Sequence, residues 1–193
     1  MEKELIPIIQ KNEEVFILPD KSVAYSMKRA SKEYEKIKPV TYTASDLILL
    51  LLGSQDKPIR SKTVLFKELF VFEREIFKNQ NIENCKFVPY YYGPYSFYIA
   101  NKLDTLIYFG LIKVTKKRNL NEYELSQSGK KMIKAKYIKL PIQIRRKMEN
   151  LRKGLDQHGV QNILKAIYKK PEYQEYIVKS RIAHRYKLIT WGK

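Results

Sequence analysis

Residues 95–129, YSFYIANKLDTLIYFGLIKVTKKRNLNEYELSQSG, predict a helix that leads into a β-hairpin. The inward face of the helix is predicted at four positions with helical spacing: Ile99, Leu103, Leu106 and Ile107. Gly110 can end the helix in a left-handed conformation. Residues 111–115 then alternate apolar and polar side chains, and residues 122–125 return as a second strand after a basic turn at 116–119. The stretch therefore combines a helix with a polar outer side and a hairpin with a cationic tip.

Two more helices are predicted before this stretch. The capping residues at 43–46 precede an apolar helix that ends near Gly53, and Ser61 can cap a longer helix to about Phe77. The longer helix is predicted to turn these residues inward: Leu65, Phe66, Leu69, Phe70, Ile76 and Phe77. Its solvated side is predicted at Lys67, Glu68, Arg74, Glu75 and Lys78. Three helices followed by a hairpin is the order of a winged helix-turn-helix, whose third helix fits the DNA major groove while the wing reaches phosphates.

Two segments carry resemblances to known families. LDTLIYFGLI at 103–112, followed by YELSQSG at 123–129, resembles the third-helix-to-wing signature of archaeal and bacterial winged-helix regulators, L-x-x-L-x-x-x-G-L-I and then Y-x-L-T-x-x-G. Ser126 stands where threonine is usual, which keeps the hydroxyl. This resemblance implies a transcription regulator that binds double-stranded DNA.

FVPYYYGPYS at 87–96 resembles, through its YGP segment, the Panacea domain, a helical and winged module of antitoxin-like proteins. That second resemblance implies a protein partner as the alternative ligand. The tyrosines of this segment, Tyr90, Tyr91, Tyr92 and Tyr95, either pack in the core or form a stacking platform for bases.

The charge of the chain favours a polyanionic partner. Its 38 Lys and Arg against 20 Asp and Glu leave a formal net charge of +18. Residues 1–80 carry 14 basic and 12 acidic side chains, whereas residues 81–193 carry 24 and 8, so the second half holds the excess. A lysine-rich solvated surface would explain the lysines but not the shortage of carboxylates.

The candidate DNA contacts follow from the predicted helix and hairpin. In the helix they are Ser96, Tyr98, Asn101, Lys102 and Thr105; in the hairpin and the helix after it they are Lys113, Lys116, Lys117, Arg118, Lys130 and Lys131. Asn101 could read an adenine edge and Lys102 a guanine or a phosphate, while Ser96 and Tyr98 suit backbone oxygens. The competing interpretation is an ordinary solvated surface.

The flanking segments are predicted to be helical extensions of a DNA-binding domain. We expect an N-terminal extension at 1–43, a winged-helix domain at 44–138 and a C-terminal helical region at 139–193. The N-terminal helix, 21–37, carries an apolar stripe that packs on the chain's own core or forms a two-helix seam: Val23, Met27, Ala30, Tyr34 and Ile37. Cations on the C-terminal helices could extend the DNA footprint, bind RNA or bind acidic protein: Arg145, Arg146, Lys147, Arg152 and Lys153. The expected fold is thus mainly α with a small β-hairpin, and a homodimer through the terminal helices is expected.

The sequence gives little support for an enzyme. A single cysteine, Cys85, excludes an intramolecular disulfide, and only two histidines are present. The carboxylates of the basic half are scattered and no phosphate-binding glycine motif occurs, so we expect no catalytic residues, no metal and no cofactor. No signal peptide and no membrane span are expected, which favours the cytoplasm.

Overall fold

The computed structural model describes residues 41–182 except 56, 157 and 158, together with residue 184 and the backbone of three short N-terminal strands. The chain divides into two compact units, Met1–Pro39 and Val40–Lys193.

The first unit contains a three-stranded antiparallel sheet. Its strands are β1 (Pro7–Gln10), β2 (Glu13–Ile17) and β3 (Val23–Tyr25), in the order β1-β2-β3. The helix predicted from residue 21 is therefore wrong at its start, because Val23–Tyr25 pairs with β2 as a strand. β-branched and aromatic residues such as these fit a pleated sheet well, and strand pairing overrides the helical spacing. The rest of that predicted helix lies outside the described residues.

The second unit begins with the predicted helices and a hairpin. Its elements are α1 (Ala44–Gly53), β4 (Ile59–Arg60), α2 (Lys62–Glu75), β5 (Val88–Tyr90), β6 (Gly93–Tyr95), α3 (Phe97–Tyr108), β7 (Ile112–Lys117) and β8 (Leu120–Leu125). Three helices followed by a hairpin, α1, α2, α3 and then β7–β8, match the predicted order, and a short hairpin that was not predicted, β5–β6, lies between α2 and α3. The wing is the β7–β8 hairpin, and β4 adds to it as a third antiparallel strand in the order β4-β8-β7.

Helices α1 and α2 begin at the N-terminal capping residues that the sequence predicts. Thr43 and Asp46 form a capping box at α1, and the Ser61 hydroxyl accepts from the Val64 amide at α2. The N-terminal caps thus fix where both helices begin.

The chain continues into C-terminal helices. These are α4 (Gln127–Lys139), α5 (Ile142–Asp156), α6 (Gly159–Tyr168) and a 3₁₀ helix at Pro171–Tyr176. α5 and α6 pack on α2, and α4 packs on α1, so one apolar core joins the helices on both sides of the wing. The fold of this unit is mainly helical with a small antiparallel sheet.

Two glycines of the signature have clear structural reasons. Gly110 has a φ of +66° directly after α3, which is the left-handed helix end that the sequence predicts. A Cβ on Gly129 would lie 2.1 Å from the carbonyl oxygen of Leu111. Only glycine therefore lets α4 approach the start of the wing this closely.

Candidate nucleic-acid interface

The N-terminus of α3 is anchored inside the protein by Ser96. Its Oγ accepts from the Ile99 amide at 3.0 Å and donates to the Cys85 carbonyl at 2.5 Å. Ser96 is completely buried. The prediction that Ser96 contacts a DNA phosphate is therefore wrong. Its hydroxyl is buried and already both accepts and donates a hydrogen bond within the protein, so a ligand cannot reach it. Its role is to fix the start of the helix.

The outer side of α3 is polar in its middle part, between the exposed aromatic residues Phe97 and Tyr108. Asn101 and Thr105 are exposed, whereas Tyr98 and Lys102 are half-buried. The Thr105 hydroxyl donates to the carbonyl of Asn101 at 2.8 Å, which leaves its oxygen able to accept from a ligand. Four of the five helix positions predicted to contact DNA thus retain some surface.

A carboxylate that the sequence did not single out lies beside Tyr98. The Tyr98 hydroxyl donates to Glu83, and the other Glu83 oxygen accepts from the Ala44 amide at 2.8 Å. These hydrogen bonds, that from Tyr98 first, lower the pKa of Glu83, and the same contact with Glu83 raises the pKa of Tyr98. Glu83 lies in the polar turn before β5, where nothing in the sequence indicates a contact with either helix.

Two lysines lie on the ring of Tyr98. The Nζ atoms of Lys86 and Lys102 are 4.8 Å and 5.2 Å from the ring centroid. At such distances the aromatic face attracts an ammonium group. Lys86 therefore joins Lys102 as a cation at the N-terminal part of α3, and no sequence motif distinguishes it from the other lysines.

One acidic residue occupies the same helix. Asp104 is exposed, and its Oδ1 lies 3.5 Å from Nζ of Lys62 in α2. An unpaired carboxylate here would repel a phosphate. The nearby ammonium compensates part of this charge.

The wing turns through two residues with left-handed backbone. Arg118 and Asn119 have φ values of 47° and 64°, and Lys117 pairs with Leu120 across the turn. Positive φ at both central residues is the geometry of a type I′ turn. The turn therefore has two central residues instead of the four predicted at 116–119, because strand pairing continues to Lys117 and Leu120. The exposed cations Lys116, Lys117 and Arg118 lie at the tip of the wing.

The predicted lysines outside the tip differ in their surroundings. Lys113 forms an ion pair with Glu124, its direct cross-strand neighbour, at 3.0 Å. In α4, the predicted contacts Lys130 and Lys131 are exposed, whereas Lys136, which is not one of the predicted contacts, pairs with Asp46 at 2.5 Å. The charge of Lys113 is thus partly balanced within the wing.

Arg152 does not belong to a cationic surface. It is completely buried, and its Nε lies 3.1 Å from the Glu68 carboxylate in α2, which is 1% exposed. The predictions that Arg152 faces outward on α5 and that Glu68 is solvated are both wrong. Burial raises the pKa of Glu68 to about 7, although Arg152 opposes the shift. The exposed cations of α5 are Arg146, Lys147 and Lys153.

The described residues contain no group of three or more His, Cys, Asp or Glu side chains that could hold a metal ion. Within the same part of the chain, no helix is both long and apolar enough to cross a membrane. Burial and the nearby Glu73 raise the pKa of Cys85, which does not favour a reactive thiolate.

Comparison with known proteins gives a family without an assigned activity. No curated protein matches the chain. The family model described as "Domain of unknown function (DUF4364)" matches residues 87–190. The match begins at the segment before α3 and contains the wing, α4, α5, α6 and the 3₁₀ helix. Since it covers more than half of the 193 residues, the chain belongs to the DUF4364 family.

Proposed function

We propose that this chain binds double-stranded DNA as a winged-helix transcription regulator, with α3 in the major groove and the wing tip on the phosphate backbone. The observation that carries the proposal is the position of an exposed polar side of α3 directly before a wing whose tip exposes three cations. A single helix fits the major groove, and its side-chain amides can read base edges there.

The residues around α3 divide into base and backbone roles. Asn101 offers an exposed amide, which is the side chain that pairs with adenine in two hydrogen bonds. Lys86 and Lys102, held on the ring of Tyr98, suit phosphates on one side of the groove. The wing tip then supplies Lys116, Lys117 and Arg118 to a second phosphate region.

The C-terminal helices leave this surface open in the described part of the protein. α5 and α6 pack mainly on α2, whereas α3 packs on α1 and on strand β7. Because one α3 covers only a few base pairs, the proposal includes a homodimer built through these helices. Exposed apolar side chains on α4 and at the start of α5 support such a contact: Met132, Ile138 and Ile142.

The test is a titration of the full chain against random-sequence duplex DNA and single-stranded RNA at several salt concentrations. We expect duplex binding whose logarithmic affinity falls linearly with the logarithm of salt, with a slope of about −0.9 for each phosphate neutralised. Tighter binding to RNA would instead favour the basic helix α5, and no binding to either would favour a protein partner of the antitoxin type. Sedimentation of the same samples reports whether the binding species is a dimer.

A further inference from the structure

A cavity of about 350 Å³ lies between the end of α1, strand β8 and helix α4. Its apolar walls are Leu52, Leu125, Ile133 and Tyr137. The first three are buried core residues, so the floor of the cavity is part of the apolar core. Its volume is near the lower end of the range for pockets that bind small organic molecules.

The rim of this cavity is cationic. Lys57, Lys130 and Lys134 line it, together with Gln55 and Glu124. The Glu124 carboxylate is engaged with Lys113, whereas neither Lys57 nor Lys134 forms an ion pair with any residue that the structure describes. The cavity therefore combines an apolar floor with an excess of positive charge at its mouth.

Hydrogen bonds from helix α5 hold the residues that line the cavity. Gln55 donates from Nε2 to the Glu149 carbonyl at 3.0 Å, and the Tyr137 hydroxyl donates to the Glu149 carboxylate at 2.6 Å. Arg152 donates from Nη2 to the Lys57 carbonyl at 3.2 Å. Three contacts from one helix hold the loop after α1 and the side of α4, so the cavity is formed before any ligand arrives.

A larger cavity, about 510 Å³ beside the end of α2, lacks this character. Glu73, Arg74 and Glu75 in its lining already contact neighbouring side chains. Arg74 lies 3.8 Å from Glu73 and donates to the Tyr176 hydroxyl at 2.5 Å, and Tyr173 donates to Glu75 at 2.5 Å. A ligand there would have to break these contacts.

We propose that the 350 Å³ cavity binds a small organic carboxylate with an apolar body. The body contacts Leu52, Leu125 and Ile133, and the carboxylate lies at the mouth near Lys57 and Lys134. The apolar surface supplies affinity through burial, and the lysines select the sign of the charge. A neutral molecule of the same shape lacks the attraction to the lysines, and an inorganic anion lacks the apolar body that the cavity buries.

Lys130 connects this cavity to the proposed DNA surface, because it belongs to both. A bound carboxylate lowers the positive potential at α4 and so weakens phosphate contacts there. This consequence rests on the proposed function. Binding of the carboxylate itself does not, since it requires no DNA.

The experiment is calorimetric titration of the full chain, without DNA, with benzoate, indole-3-carboxylate, benzamide and inorganic phosphate. We expect both carboxylates to bind in the millimolar range or tighter, and benzamide and phosphate to bind at least about tenfold more weakly. Lys134→Ala should weaken carboxylate binding about tenfold, whereas Lys139→Ala, which removes an exposed lysine of the same helix away from the cavity, should leave it unchanged.

Three outcomes would overturn the assignment. Equal binding of benzamide would show that charge plays no part, and equal binding of phosphate would show that the apolar walls play none. An equal loss in both lysine variants would show a diffuse effect of net charge. The DNA titration, with and without benzoate, is then compared with the calorimetry. Carboxylate binding by a chain that binds no DNA would contradict only the proposed function.

Discussion

Lys67 is a charged residue type held in the interior of the protein. It is 2% exposed, and its Nζ donates to the Pro94 carbonyl at 2.6 Å. Burial lowers the pKa of Lys67 to about 7 from its ordinary value of 10.5. The ammonium thus ties α2 to the hairpin before α3, and near neutral pH it loses its proton easily.

This pKa predicts a pH-dependent stability. Between about pH 7 and 10.5 the unfolded chain binds a proton at Lys67 that the folded protein has released, so the free energy of unfolding rises with pH in that window. Lys67→Met should abolish this rise. Relative to the variant, the wild type should gain up to about 4 kcal/mol between pH 7 and 10.5 in denaturant titrations. Parallel curves for wild type and variant, or an equal change in the control Lys139→Met, would contradict the prediction.

Asn101 is the residue on which sequence recognition depends in the proposed complex. Asn101→Ala should weaken binding to a preferred duplex by about 1 to 3 kcal/mol and leave binding to random duplex almost unchanged, because a base contact discriminates while a phosphate contact does not. Competition titrations on a selected and a random duplex measure the difference. Asn150→Ala, an exposed asparagine on α5, is the control. An equal loss on both duplexes would mean that Asn101 reads no base.

At the level of elements, local signals predicted helices α1, α2 and α3 and the β7–β8 hairpin, but not strands β4, β5 and β6. The caps at Thr43 and Ser61, the apolar stripe of α3 and the glycine after it all predicted the structure. These features work through neighbouring residues, so one sequence is enough to recognise them.

The errors in the second unit concern side chains whose partners lie on other elements. Lys67 and Glu68 face a hairpin and a C-terminal helix that cover the side of α2 predicted to be solvated. Ser96 is buried because the Cys85 segment packs over it. A charge pattern along one helix cannot identify such partners, since burial depends on which segments pack against the helix.

The wing predicts a measurable change in salt dependence. Changing Lys116, Lys117 and Arg118 together to alanine should weaken binding to every duplex and make the salt slope less steep by roughly 3, because three phosphates lose their partners. The matched control changes Arg146, Lys147 and Lys153, which removes the same charge from the exposed side of α5. Fluorescence anisotropy at four salt concentrations compares the two. A larger effect of the α5 variant would reject the wing as the contact.

At the level of the whole second unit, the buried pair Glu68–Arg152 joins the C-terminal helices to the winged part. Arg152 contacts both the Glu68 carboxylate in α2 and the Lys57 carbonyl beside the proposed carboxylate cavity. One buried side chain of α5 therefore contacts both helix α2 and the loop after α1. We infer that α5 and the winged part unfold together rather than as separate domains.

Arg152→Met should show this coupling. Removing one partner leaves a buried carboxylate without its counter-charge, so the free energy of unfolding should fall by about 3 to 5 kcal/mol at pH 8. Since the folded pKa of Glu68 is already raised to about 7, the carboxyl is protonated at pH 5 and the loss of stability there should be smaller.

The double variant Glu68→Leu with Arg152→Met should recover most of the loss, because an apolar pair needs no counter-charge. Lys113→Met, which removes the exposed partner of the half-buried Glu124, should cost less than about 1 kcal/mol. A single calorimetric transition that shifts as a whole would support one cooperative unit, whereas separate transitions, with only one moved by Arg152→Met, would show that α5 folds apart from the winged part.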